Sequence, residues 1–208
     1  MTSFRRAGTA FLGVLAVVSL AWLALPDAYA LEKPAVRAWQ TIRATLRESK
    51  ETIPSEWVSR GEVDFFKDQK WTVFPFVEGR LNLDNGDWSR VEAGGELGIR
   101  PFSWAYLGNG LHHARLDPGD DRVEWEVRTV FTFPLPWWEI RSEKLSFYAL
   151  NEWTFNIDDG EGDRNEVGAG IRIPLPWKPF SASLGWRHVD LIHRPDLDQF
   201  EGSLRADF

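Results

Sequence analysis

The chain has no cysteine among its 208 residues, and this absence removes several kinds of chemistry at once. Disulfides, thiolate metal sites and thiol nucleophiles are all excluded, so stability has to come from the packed chain and its surroundings. Basic side chains are also scarce, because 24 Lys and Arg stand against 31 Asp and Glu for a net charge of −7. An acidic chain of this kind is poorly suited to nucleic acid, which we do not expect as a partner.

Long apolar runs are missing too, apart from one near the start at residues 10–25. Arg5 and Arg6 precede this run, and Pro26 and the small-x-small sequence Ala28-Tyr29-Ala30 follow it. The arrangement predicts a cleaved secretory signal peptide over 1–30, which leaves a mature chain of about 178 residues with a net charge of about −8. The alternative is an uncleaved membrane anchor, for which the run is short.

The stretch 122–133, with the sequence RVEWEVRTVFTF, shows what fills the rest of the chain. Its apolar side chains fall on one face, namely Val123, Trp125, Val127, Phe131 and Phe133. Its charged side chains alternate with them, namely Arg122, Glu124, Glu126 and Arg128. A period of two is what an extended strand imposes, so this stretch is predicted to be a strand with one apolar face.

Similar alternation recurs through residues 71–208 in segments of about the length that crosses a bilayer when tilted. The predicted strands are 71–83, 89–99, 104–116, 122–133, 145–157, 164–173, 180–191 and 198–208. The expected fold is all-β, an up-and-down antiparallel barrel of about eight strands. Because bacterial outer-membrane barrels have even strand numbers, the segment 55–70 is assigned as a lead-in, although 61–66 is a candidate ninth strand.

The segment 31–54 is predicted to form one short amphipathic helix before the barrel. Ala35, Trp39, Ile42 and Leu46 recur at helical spacings, and Pro34 suits a first helical turn. Two placements remain open for this helix. In the first placement the helix lies on a membrane surface or clamps the barrel. In the second placement it packs on a soluble core.

Connections between the predicted strands alternate between two chemical types. Proline and aromatic residues dominate at 100–104, 134–138 and 174–179, whereas acidic and glycine residues dominate at 84–87, 117–121 and 158–163. In an up-and-down sheet the two types lie at opposite ends, and the Asn-Gly and Asp-Pro-Gly sequences suit tight reversals.

Three features favour a barrel whose apolar face points outward into lipid over a periplasmic, lipocalin-like binding barrel with an apolar interior. Tryptophans gather near the strand ends as in an aromatic girdle, at Trp71, Trp88, Trp104, Trp137, Trp138 and Trp177. The polar face mixes charges with very small residues, which suits a narrow lumen. The last strand alternates regularly and ends at Phe208.

In that last strand, Phe200, Leu204 and Phe208 alternate with Glu201, Ser203, Arg205 and Asp207. With this closing strand and the signal peptide, the chain resembles the small eight-stranded β-barrel proteins of the bacterial outer membrane. The resemblance implies a transmembrane barrel in the Gram-negative envelope, located in the cell outer membrane and surrounded by its lipid. It also implies that Phe208 is an assembly signal read by the barrel-assembly machinery.

The polar face of the predicted barrel is expected to form a luminal network of paired charges that acts as a structural plug. The residues assigned to it are Glu92, Glu96, Glu124, Glu126, Arg128, Glu152, Glu166, Arg172, Arg187 and Arg205. Because an eight-stranded barrel is only just wide enough for its side chains, an open porin is not expected. A narrow solute channel remains an alternative.

The acidic-loop end of the predicted barrel offers residues for two further chemistries. Carboxylates at Asp158, Asp159, Glu161 and Asp163 are hard oxygen ligands for Ca²⁺, although their spacing matches no EF-hand and solvated turns are the expectation. The histidines His112, His113, His188 and His193 are predicted to be rim residues without a shared metal. No cofactor is expected.

A barrel enzyme acting on outer-membrane lipid is the remaining alternative, because lipid A acyltransferases and deacylases are also small barrels. Deacylases of that kind use a His-x-Ser pair with an acid, and this chain has no such pair. Ser203 with His188 and Glu201 is the best triad available. The expected function is therefore a structural or envelope-interaction role.

Overall fold

Ten antiparallel strands form one closed barrel in a computed structural model that describes residues 34–46, 55–66, 70–116, 121–140, 142–192 and 196–208. The described strands are β1 (Ala35–Leu46), β2 (Glu56–Asp64), β3 (Trp71–Asn82), β4 (Trp88–Phe102), β5 (Ala105–Leu116), β6 (Asp121–Ile140), β7 (Glu143–Asn156), β8 (Glu161–Pro174), β9 (Phe180–Leu191) and β10 (Leu197–Asp207). Each strand pairs with its neighbours in the chain, and β1 pairs with β10.

The alternation of side chains along each strand decides which residues face the lumen and which face outward. On β4, the side chains of Arg90, Glu92 and Glu96 are buried inside, whereas Leu97 and Ile99 are exposed on the outer surface. The same alternation runs along β3 and β5, although inward Phe74 and Phe76 of β3 are apolar. The barrel is therefore polar inside and apolar outside, as the sequence pattern predicted.

The first and last strands close the barrel. β1 and β10 pair over ten positions, from Arg37 opposite Asp207 to Leu46 opposite Asp198. Phe208 extends this ladder, because its backbone N–H donates to the Val36 carbonyl at 2.8 Å and its carbonyl accepts from the Val36 N–H at 3.1 Å. The chain end predicted to be an assembly signal thus lies on the closing seam.

The predicted count of eight strands is wrong, because two strands precede residue 71. β1 occupies the described part of the segment predicted as a helix, 31–54, and β2 occupies most of the predicted lead-in, 55–70. The apolar spacing that suggested a helix is real, but Arg37, Thr41 and Arg43 also alternate with outward Ala38 and Ile42. Pairing with β2 and β10 on both sides selects the extended form.

No helix in the described ranges is long and apolar enough to cross a membrane. The predicted signal peptide, 1–30, lies outside the described residues, as do the flanks of the predicted helix at 31–33 and 47–54.

The described turns lie at opposite ends of the barrel, as predicted, but the predicted connection 134–138 is wrong because it belongs to β6, which continues to Ile140. One end, called here the acidic-turn end, carries 83–87 and 157–160, where Gly86 and Gly160 take positive φ values of 75° and 71°. The other end, the terminus end, carries the Pro and aromatic turns together with the described start and end of the wall. There the Glu143 carboxylate accepts a hydrogen bond from Lys178 at 2.7 Å, which raises the pKa of Lys178.

Candidate functional site

The lumen is the candidate site, because every strand contributes inward charged or hydroxyl side chains to it. Arg128 on β6 lies at the centre of one cluster: its guanidinium is 2.6 Å from Glu126, 3.0 Å from Glu152 and 3.5 Å from Glu96. These three carboxylates come from β6, β7 and β4 and are themselves buried. One arginine therefore neutralises charge drawn from three strands, as the predicted plug requires.

A second cluster fills the lumen toward the acidic-turn end. Arg90 donates to both carboxylate oxygens of Glu124, at 3.1 and 2.6 Å, and contacts Glu92 at 2.5 Å. The His112 Nε2 atom lies 3.1 Å from the same Glu124 carboxylate, and its Nδ1 atom has no hydrogen-bond partner among the described residues. All four side chains are almost completely buried, so they close this half of the lumen.

A third cluster runs along β8, β9, β10 and β1. Glu166 pairs with Arg164 at 2.9 Å and also with Arg187, which in turn lies 3.3 Å from Glu201. Arg43 of β1 reaches the same Glu201 at 3.7 Å. The charges assigned to the lumen from the sequence are therefore inside the barrel, and most of them are paired there.

Several luminal charges escaped the sequence analysis because β1 and β2 had been placed outside the barrel. Arg60 lies 3.4 Å from Glu78 and 3.9 Å from the ring centroid of Phe76. Arg37 contacts Glu62 at 3.2 Å and Asp64 at 2.6 Å. The alternation of Arg60, Glu62 and Asp64 with Ser59, Gly61 and Val63 was the available signal.

His112 was also misassigned. It was predicted at the rim together with His113, but its side chain points into the lumen, while that of His113 is exposed and lies 3.9 Å from Asp121. The two residues are adjacent on β5 and so face opposite sides of the wall. Strand parity separates the two residues, so the prediction that grouped them is wrong for His112.

A cavity of about 350 Å³ remains inside the barrel and reaches from these clusters toward the terminus end. Its wall includes cluster residues, namely Glu78, Arg80, Glu92, Glu126, Arg128, Glu152, Arg187 and Glu201. Toward the terminus end it includes Arg37, Arg172, Arg205, Ser181, Ser183 and Ser203. Glycine makes room beside it, because a β-carbon at Gly170 or Gly185 would collide with the Tyr148 hydroxyl group. Ten strands enclose more space than eight, which explains why paired side chains do not fill this lumen completely.

The three residues considered as a triad are not brought together. Ser203 and Glu201 point into the lumen, where Ser203 and Thr41 share a hydrogen bond of 2.7 Å and Glu201 accepts one from Tyr148 at 3.0 Å. His188 follows inward Arg187 on β9, faces the other side of the wall and lies 3.2 Å from Asp198. His188 therefore lies on the opposite side of the barrel wall from Ser203 and Glu201.

The acidic residues considered for calcium serve as turn acceptors. Asp158 accepts a hydrogen bond from the Val123 backbone N–H at 2.9 Å, Asp159 accepts one from Asn156 at 2.5 Å, and Asp163 lies 3.5 Å from Arg122. Glu161 is the fourth member and begins β8. The described part of the chain contains no cluster of three or more His, Cys, Asp or Glu side chains arranged to hold a metal ion.

Comparisons with known proteins give no family. No family model matches the chain, and no curated protein matches it. Nineteen chains of solved structures match, and three of them illustrate the likeness, all at low identity. One, from work on the in-meso crystallization of membrane proteins, has 12% identity, a TM-score of 0.47 and 84% of each chain covered. The β domain of the Bordetella autotransporter BrkA has 14% identity and a TM-score of 0.41, over 84% of this chain and 98% of that one.

The third is the transport unit of the autotransporter AIDA-I from Escherichia coli, with 9% identity and a TM-score of 0.39 over 88% of this chain and 92% of that one. At these scores the likeness assigns no function to the chain.

Proposed function

We propose that this chain is an integral barrel of the bacterial outer membrane with a structural or envelope-interaction role and no open pore. The observation that carries the proposal is the chemistry of the outer wall. Between two rings of aromatic side chains, the outward positions of the described strands carry no Asp, Glu, Lys or Arg. A surface exposed to water has no reason to exclude charge from one continuous band, whereas a surface exposed to lipid must do so.

The two aromatic rings mark the borders of this band. The terminus ring consists of Trp71, Phe102, Trp104, Phe133, Phe147 and Phe180, and the acidic-turn ring consists of Trp57, Trp125, Trp153, Phe155, Trp186 and Phe200. Within the first ring, Trp104 stacks on Phe102 at 5.0 Å and on Phe133 at 5.5 Å. Aromatic rings of this kind fit the two interfaces between hydrocarbon and water.

Several polar side chains on the outer wall form hydrogen bonds with neighbouring outward side chains. Gln40 donates to Ser59 at 2.8 Å and accepts from the Trp57 indole at 2.8 Å. On the far wall, the Asn151 amide donates to the Asn165 amide oxygen at 2.6 Å. Such pairing is required where no water is available, because each unsatisfied polar group in hydrocarbon costs several kcal/mol.

Two rival functions fit the lumen less well. A lipocalin-like carrier needs an apolar interior, but the inward face of this barrel carries Arg and Glu pairs. An open porin needs a continuous water column, but Arg90, His112 and Glu124 occupy the lumen toward the acidic-turn end. The closed lumen therefore favours a role carried by the outside of the barrel and by its acidic turns.

The topology of the proposed membrane barrel follows from its ends. The described start of β1 and the described end of β10 both lie at the terminus end. In bacterial outer-membrane barrels that end faces the periplasm, so the acidic turns would face the outside of the cell. Outer-membrane lipid would then surround the band, and the barrel-assembly machinery would recognise the seam that contains Phe208. The acidic turns are the surface offered to external partners.

The closed lumen predicts the electrical behaviour of the purified protein. In planar lipid bilayers the parent barrel should insert without steady currents of porin size, because the buried pair of Arg90 and Glu124 blocks the lumen. The double variant Arg90→Ser with Glu124→Ser should conduct measurably more. Porin-sized currents from the parent would contradict the proposed closed barrel, and equal currents from the two proteins would place the block elsewhere.

A further inference from the structure

The cavity in the terminus half of the lumen is lined by one arginine that takes no part in the ion pairs of the three luminal clusters. Arg172 of β8 lines this cavity and makes no hydrogen bond or ion pair with another described residue. Every other arginine of the luminal clusters described above contacts at least one carboxylate. A guanidinium left alone in a partly buried space is costly, so its presence needs an explanation.

The charges around Arg172 do not neutralise it. Its strongest charged neighbours are Arg205, Asp207 and Arg37, so two cations share its surroundings with one carboxylate. That carboxylate is already engaged: Asp207 contacts Arg205 at 2.5 Å and Arg37 at 3.3 Å. Arg172 is therefore left without a carboxylate of its own at the cavity wall.

Small hydroxyl side chains line the same part of the wall. Ser183 lies opposite Arg172 in the β8–β9 ladder and opposite Ser203 in the β9–β10 ladder, and Ser181 lies opposite Arg205. Serines at these positions leave space next to the guanidinium groups and supply additional hydrogen-bond donors. Trp39 forms an apolar side of the cavity, with the guanidinium of Arg205 5.4 Å from its ring centroid.

We propose that this cavity binds a small oxyanion, a compound that carries a phosphate or carboxylate group, with Arg172 as its principal contact. A guanidinium offers a planar fork of donors that matches both groups, and Arg205 and the serine hydroxyls complete the donor set. The volume of about 350 Å³ is at the lower end of the range for small-molecule sites, so the ligand is small.

The ligand would enter from the terminus end. At that end the side chains of Arg205 and Arg37 are 22% and 17% exposed, whereas the side chain of Glu124 toward the opposite end is 0% exposed. The Arg90 and Glu124 cluster closes the opposite side, so the cavity is a blind pocket and not a passage. This proposal concerns the lumen alone and does not depend on where the barrel is located.

The proposal is tested by calorimetric titration of the purified full-length barrel in non-ionic detergent with two probes, inorganic phosphate and citrate. At least one probe should bind the parent, and Arg172→Gln should weaken that binding roughly tenfold or more, because a charge-assisted hydrogen bond is lost. Arg172→Lys should retain part of the affinity, since it keeps the charge but not the fork. Arg115→Gln, at an exposed arginine on the acidic-turn end, should bind as the parent does.

Folding is controlled separately. Because Arg172 has no described partner, Arg172→Gln should unfold at the same denaturant concentration as the parent or a higher one, so a loss of binding will not reflect a loss of fold. The absence of binding by both probes would overturn the proposal. Equal binding by the parent and Arg172→Gln would overturn it as well, by placing the anion elsewhere.

Discussion

An arginine in place of Val127 should destabilise the barrel in lipid vesicles by about 2–4 kcal/mol. Val127 lies on the outer face of β6 between Trp125 of the acidic-turn ring and Phe133 of the terminus ring. A guanidinium at this position would lie inside the uncharged band, one outward position from Trp125, where it has neither water nor a carboxylate. The free energy of unfolding is measured by denaturant titration of the protein in vesicles.

The matched control places the same side chain on the same wall at a different depth. His113 faces outward on the neighbouring strand β5 and lies opposite Val123, close to the acidic turns. The substitution His113→Arg should cost only about 0–1 kcal/mol, because the guanidinium reaches water there. Equal stability of Val127→Arg and His113→Arg would show that the outer wall is in water.

Removal of the Arg128 side chain should be the most damaging change inside the barrel. Arg128→Ala leaves Glu96, Glu126 and Glu152 close together and without the cation that they share. Breaking a buried ion pair by removing one partner typically costs about 3–5 kcal/mol. Unfolding in vesicles near neutral pH should show a loss of that size relative to the parent.

Two comparisons separate the cost of unpaired charge from the cost of lost packing in the stability of Arg128→Ala. Arg172→Ala removes a luminal arginine without a described carboxylate partner, so its cost should be much smaller than that of Arg128→Ala. Adding Glu126→Gln and Glu152→Gln to Arg128→Ala should recover part of the stability, because two of the unpaired charges disappear. A loss from Arg128→Ala no larger than that from Arg172→Ala would contradict the central role of Arg128.

The sequence predicts the wall of the barrel well where its two faces differ strongly. In β6, Trp125 and Val127 contrast with Glu124 and Glu126, and the predicted strand 122–133 lies within the observed one. In β1 the contrast is weak, because inward Trp39 is large and apolar while outward Gln40 is polar. The period of two is blurred there, and the spacing of Trp39 and Ile42 fits a helix equally well. Pairing with β2 and with β10, which is distant in sequence, selects the strand.

The sequence predicts which residues line the lumen, but it does not predict which of them form ion pairs with one another. The parity of a strand places Arg128 and Arg172 inside, yet it does not say that the first pairs with three carboxylates and that the second pairs with none among the described residues. Those neighbours come from other strands, through registers that depend on bulges such as the shift between Thr154 and Phe155 in the β7–β8 pair. The cavity likewise depends on the true strand number, because the two missed strands widen the barrel.

The most direct test of the outward-facing lipid surface uses the absence of native cysteine. A spin label is attached to Leu97→Cys, on the outer face of β4 where Leu97 is 57% exposed, and to Asn85→Cys in an acidic turn as control. In outer membranes isolated from expressing bacteria, the label at 97 should collide readily with oxygen and rarely with a water-soluble nickel chelate, whereas the label at 85 should show the reverse. Equal access of the nickel chelate to both labels, or a protein absent from the outer-membrane fraction, would contradict the account.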